Sequence, residues 1–144
     1  FWHDRIPTDA ARATVLTTGT YSARLNYRIL YKTNYSANYQ MLASNLLTSN
    51  NYSFALNAIP MQAGEVVTDV YFDFGTVPVG FQSIAKPTLT VQVLTTAANG
   101  YQLVNRADVG GKYQGTWQTA NANWVTIIRK LTITPPPTLP KTGY

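Results

Sequence analysis

His3 is the single histidine of this 144-residue chain, and cysteine is absent. A Ser-His-Asp triad or a set of imidazole metal ligands would have to be assembled around that one ring. Thiolate zinc sites, disulfides and cysteine nucleophiles are excluded outright. The carboxylates are Asp4, Asp9, Glu65, Asp69, Asp73 and Asp108, and their spacing picks out no acid–base pair of the kind that cleaves glycosidic bonds. Glu65, Asp69 and Asp73 carry the oxygen donors that calcium prefers, yet they fall along one alternating run rather than in a ligand loop. The expectation is a chain that is not an enzyme, with no metal and no cofactor.

Flat rings offer a different chemistry. Trp117 and Trp124, with Tyr35, Tyr39 and Tyr52 beside Asn-rich turns, are the candidates for a platform on which sugar rings or a host ligand stack. Against this stands the commoner use of aromatics in β proteins, as core and cross-strand partners. Asn34-Tyr35-Ser36 and Asn51-Tyr52-Ser53 have the spacing of N-glycan acceptors, and both read as turns. The 11 basic residues give a net charge of +5, but they are scattered and only Arg129-Lys130 are adjacent. That is too sparse for a nucleic-acid patch and leaves at most a weak attraction to anionic glycans or wall polymers.

These side chains must be positioned by strands. Charged residues are only 12% of the chain, and the polar surface is built instead from 20 Thr and 11 Asn, with 10 Tyr beside them. Thr and Tyr suit a half-buried pleated strand and Asn suits turns. Residues 23–32 alternate, with Leu25, Tyr27, Ile29 and Tyr31 on one face and Arg24, Asn26, Arg28 and Lys32 on the other. Along 66–74, Val66, Thr68, Val70, Phe72 and Phe74 share one face. Asp69 and Asp73 fall on the wetter one, as solvated carboxylates, with Val67 and Tyr71. Thr88 to Leu94 places Leu89, Val91 and Val93 inward. Tyr39 to Leu47 and Tyr52 to Leu56 read as further strands.

Asn99-Gly100 is a hairpin signal with Tyr101 to Val104 as its partner strand. Gly110-Gly111 and Gly115 read as the next loop, and Thr116 to Gln118 and Trp124 to Thr134 as the last strands. The fold class is therefore all-β: an antiparallel β-sandwich, immunoglobulin-like Greek key first and jelly roll as the alternative. Residues 1–13 are expected to be an N-terminal arm, 14–134 the sandwich with Thr14 to Thr20 as an edge strand, and 135–144 a proline-rich tail. No run of about 18 apolar residues exists, so no membrane span is expected. The chain opens at Phe1 without a charged-then-apolar leader, as expected of a mature product or an excised piece.

The tail carries the most specific motif. Pro135-Pro136-Pro137 favour an extended spacer, and Leu139-Pro140-Lys141-Thr142-Gly143 follow. This resembles the sorting signal of Gram-positive surface proteins. Asn99-Gly100-Tyr101-Gln102, residues 105–111 and Gly115-Thr116-Trp117 are similar to C-terminal domains of repeat-containing surface proteins of gut bacteria. The resemblance implies a sortase that reads Leu139 and Pro140, tolerates Lys141, cuts between Thr142 and Gly143, and joins Thr142 to a cell-wall or pilin amine. In that family an apolar span and a basic tail usually follow the motif; this sequence runs to Tyr144.

The resemblance also implies an extracellular, cell-wall-associated location and a structural or adhesive role, as a fibre or pilus-like subunit or a stalk. It further raises an internal Lys–Asn isopeptide bond, which needs a neutral lysine and a protonated acid. The candidates are Lys32 or Lys86, Asn105 or Asn123, and Asp69 or Asp73. The Thr-rich segments at either end are candidates for self-association by strand addition.

Overall fold

A computed structural model describes residues 1–96 and 102–127. The elements are β1 (Trp2–Arg5), β2 (Ala11–Thr17), β3 (Thr20–Tyr21), β4 (Asn26–Thr33), β5 (Gln40–Leu47), β6 (Ser53–Ala55), a 3₁₀ turn at Leu56–Ala58, β7 (Val67–Asp73), β8 (Ser83–Ala85), β9 (Thr88–Val93), β10 (Gln102–Tyr113) and β11 (Thr116–Ile127). Every pairing is antiparallel. Six strands form one sheet in the order β11-β10-β1-β7-β4-β5, three form a second in the order β6-β2-β9, and β3 and β8 pair separately. The chain is an all-β, antiparallel β-sandwich.

Alternation builds the core as the sequence predicts. Tyr27, Ile29 and Tyr31 of β4 and Val70 and Phe72 of β7 point inward, where they meet Leu16 of β2 and Leu56. Tyr21, Tyr27, Phe72, Phe74 and Phe81 pack ring against ring, with centroids 4.8 to 6.2 Å apart. Two threonine hydroxyls buried beside them are satisfied locally. Thr48 Oγ1 accepts from Leu25 N at 2.9 Å and donates to Ala23 O at 2.7 Å. Thr18 Oγ1 accepts from Tyr52 N at 2.8 Å.

Four expectations change. Residues 2–5 are not a free arm: β1 sits inside the large sheet, bonded to β10 on one side and β7 on the other. The Thr-rich run from Thr14 is not an edge, since β2 lies between β6 and β9. Val67 is buried although simple alternation puts it outside. Lys32 pairs with Asp69 and Thr33 with Val67, so Thr68 is an extra residue and the bulge turns Val67 inward.

The fourth change is the Gly110–Gly115 stretch. Gly110 and Gly111 lie within β10 rather than in a loop, and a side chain at Gly110 would strike the Phe1 ring that crosses it. The turn is the two-residue Gln114-Gly115, with φ of +48° and +79°. Both values are positive, as the I′ turn of a tight hairpin requires. Asn99-Gly100 and residues 128–144, with the motif at 139–143, lie outside the described residues.

Phe72 is fully buried at the centre of the core. Phe72→Ala should lower unfolding stability by about 3–5 kcal/mol, read as a shift of the denaturant midpoint with little change in slope.

Candidate functional site

The outward face of the large sheet gathers the ion pairs found among the described residues. Register decides this. His3 stands opposite Tyr71 and Asp108, Arg5 opposite Asp69, Lys32 opposite Asp69 and Arg28 opposite Asp73, and cross-strand partners share a face. His3 Nε2 is 2.6 Å from Asp69 Oδ2, and its Nδ1 is 3.7 Å from Asp108 Oδ2. Arg5 Nη2 reaches Asp108 Oδ2 at 2.9 Å, Lys32 Nζ lies 3.7 Å from Asp69 Oδ1, and Arg28 Nε donates to Asp73 Oδ2 at 2.9 Å.

Rings run across the same face. Trp117 and Phe1 have centroids 6.2 Å apart, Phe1 stacks on Tyr71 at 5.2 Å, and Tyr71 meets Tyr39 at 5.7 Å. The His3 ring lies beside both tyrosines, and the Tyr39 hydroxyl is 3.3 Å from His3 Nε2. Lys32 Nζ sits 5.3 Å over the Tyr39 ring, a cation–π distance. Phe1 is fixed by a two-way backbone pair: its terminal ammonium donates to Gly110 O at 2.7 Å, and Gly110 N donates to Phe1 O at 3.2 Å. Trp117 is 61% exposed and Tyr39 39%, so the row is open to solvent at both ends.

Burial acts on these groups in opposite senses. Desolvation alone would raise the Asp69 carboxyl, but hydrogen bonds from Thr68 and His3 and the charge of Lys32 outweigh it and hold it below the usual carboxylate range. Asp73 is likewise held low: burial pulls upward, while the Gly75 N–H and Arg28 pull down more strongly. Burial raises Tyr39, with the Asp69 and Tyr71 charges adding to it, and burial raises Tyr71 with help from Asp73.

The sequence candidates divide. Tyr39 and Trp117 join the row. Tyr35 does not: its hydroxyl bonds Ala63 O and pins a loop. Tyr52 is also used internally, since its oxygen accepts from Leu47 N at 3.0 Å and its ring stacks on Phe54. Asn105 lies on β10 and Asn123 and Trp124 on β11, with their side chains outside the described part of the structure. Asn34 and Asn51 serve as turn residues, the first bridging Gly64 O and Val66 N, the second accepting from Gly19 N.

Of the crosslink candidates, Lys32 and Asp69 come together, but as an ion pair with the acid held in its charged form. Asp73 belongs to Arg28, and Lys86 lines a separate cleft. Asp69 is buried at 7% exposure rather than solvated, because His3 and Lys32 close over it. Glu65 bonds Thr33 Oγ1 and Gln62 N in a turn. Among the described residues no group of three His, Cys, Asp or Glu side chains is placed to hold a metal ion, and no helix is long and apolar enough to cross a membrane.

Sequence reasoning missed Phe1, His3, Arg5, Tyr71 and Asp108 as site residues. The one signal available was alternation, which already put Tyr71 on the Asp69 face. Comparison of the chain with family models, with curated proteins and with solved structures finds no match.

The charged pairs set an acid limb. Asp69 and Asp73 titrate lower folded than unfolded, so the unfolded chain takes up protons first as pH falls. Their contribution is complete above the ordinary carboxylate value of 3.8 and is lost as pH drops through the folded values. Urea midpoints measured from neutral pH to about pH 2 should therefore fall on acidification, and Asp69→Asn should flatten that fall.

Proposed function

We propose that this chain is a non-enzymatic adhesive module of a bacterial cell surface that binds carbohydrate across the outer face of its large sheet. The observation that carries the reading is the row Trp117, Phe1, Tyr71 and Tyr39, flanked by Arg5 with Asp108 and Lys32 with Asp69. A sugar ring has an apolar face of C–H groups and a rim of hydroxyls. Flat rings take the first, and carboxylates, a guanidinium and an ammonium take the second. A sheet face supports such contacts on rigid elements, so little conformational freedom is lost on binding. The pre-paired charges also keep the platform ordered before the ligand arrives.

Attachment belongs to the same proposal. The Leu139-Pro140-Lys141-Thr142-Gly143 motif is taken as a sortase site that joins the module to a wall or pilin amine through Thr142, with the proline spacer holding it clear. An extracellular, wall-associated location follows from that motif.

Two measurements test the halves separately. Titration calorimetry against wall and mucosal oligosaccharides should find a ligand whose affinity falls about tenfold, near 1.4 kcal/mol, in Trp117→Ala and in Tyr39→Ala, with thermal midpoints close to the parent's. A folded chain that binds none of them overturns the carbohydrate reading. Incubated with a sortase and an amine acceptor, the chain should be cut at Thr142–Gly143 and joined to the acceptor, and Thr142→Ala should abolish both.

A further inference from the structure

The carboxylates and cations paired on the outer face are matched in number but not in depth. Side-chain exposure is 50% for Arg5 against 21% for Asp108, 51% for Arg28 against 33% for Asp73, and 30% for Lys32 against 10% for Asp69. Side-chain length is the cause. An aspartate carboxylate stays close to the sheet, whereas the stems of Arg and Lys carry their charge up and over it. Each pair is therefore a small dipole with its positive end toward solvent, and all three point the same way.

Register adds a further cation. Arg106 stands opposite Arg5, and Arg5 and Lys32 both stand opposite Asp69. Arg106, Arg5, Asp69 and Lys32 thus form one line across β10, β1, β7 and β4, with neighbouring strands about 4.7–4.9 Å apart. Arg106 is exposed, and no ion pair joins it to another described residue. Arg28 lies four residues from Lys32 along β4, roughly 13 Å away at about 3.3 Å per residue. Tyr71 sits between Asp69 and Asp73 on β7, so a ring of the aromatic row lies between the line and Arg28.

We propose that the ligand of this face is an acidic oligosaccharide, a chain of linked sugars bearing carboxylates. Its rings lie on the aromatic row, and its carboxylates meet Arg106, Arg5 and Lys32 at one end and Arg28 at the other. This rests on the carbohydrate reading above and narrows it. Such a ligand need not break the pairs already present. A guanidinium carries five N–H donors, and Arg28 gives Nε to Asp73, which leaves its Nη donors for an incoming acid. A carboxylate matches the guanidinium fork, and hydrogen bonds between charged groups are about twice as strong as neutral ones. One sugar cannot reach both the line and Arg28, so a linked chain is required. Because the paired charges cancel at a distance, recognition is by contact.

Titration calorimetry on the full chain tests the class, with tetragalacturonate and a hyaluronan tetrasaccharide as probes, each beside its carboxyl methyl ester. At least one acid should bind about tenfold or more tighter than its ester. Arg28→Gln and Arg106→Gln should each weaken the acid about tenfold and leave the ester unchanged, with thermal midpoints close to the parent's. An acid and ester bound alike, or binding to neutral oligosaccharides alone, overturns this inference and leaves the carbohydrate reading standing. A preference for a heparin fragment or for DNA over both uronates overturns the carboxylate assignment. A folded chain that binds no sugar, acidic or neutral, overturns both.

Discussion

β7 is the strand through which both faces of the molecule are set. Its two neighbours in the large sheet, β1 and β4, are each locked to it in register. One alternation sends Val70 and Phe72 into the core and Asp69, Tyr71 and Asp73 to the outside. A slip of one residue would reverse every one of these assignments, burying carboxylates and exposing Phe72. The hydrophobic set therefore does more than fill the interior. It dictates which charged groups meet on the far side, and so which site can exist there.

On that far side the arrangement solves a particular problem. A sheet face with apolar rings across it would invite aggregation if the rings stood alone. Here the two tyrosines of the row border charged groups: Tyr71 lies beside Asp73 and His3, and Tyr39 lies under Lys32. Acids and bases are interleaved strand by strand, Asp108, Arg5, Asp69, Lys32, so the net positive charge of the chain is not concentrated on this surface. Exposed ion pairs contribute little each. Asp69 differs because it is buried and approached by two cationic partners, one of them His3 when protonated.

Much of this was legible in the sequence, and the gaps have physical causes. The strands 26–33 and 67–73 announced themselves because one face of each is apolar and the other polar. Residues 2–5 did not. Trp2, His3, Asp4 and Arg5 carry no such contrast, and Asp4 in fact faces inward, buried at 3%. A strand held by two neighbours needs less of a pattern of its own, since register comes from them. Gly110 and Gly111 read as a loop because glycine usually marks one, whereas the Phe1 ring needs the missing side chain at Gly110. The bulge at Thr68 left no signal, because an extra residue in one strand depends on pairing that a single strand cannot show. Tyr39 and Trp117 could be chosen from composition and neighbouring turns, but Tyr35 and Tyr52 looked the same. What separates them is a hydrogen bond between the ring hydroxyl and the backbone, to Ala63 O for Tyr35 and from Leu47 N for Tyr52.

The position of β1 has a mechanical consequence. β1 and β11 are both antiparallel to β10, so they run in the same direction, yet β1 begins at the Val109 end of β10 while β11 finishes at its Gln102 end. Residues 1 and 127 thus sit at opposite ends of one sheet. Tension between them acts along the strands, and interstrand hydrogen bonds lie across that direction. β1 would have to slide past β7 and β10 together, breaking its bonds at once rather than peeling them off one after another. A sheet connected this way resists stretching in shear.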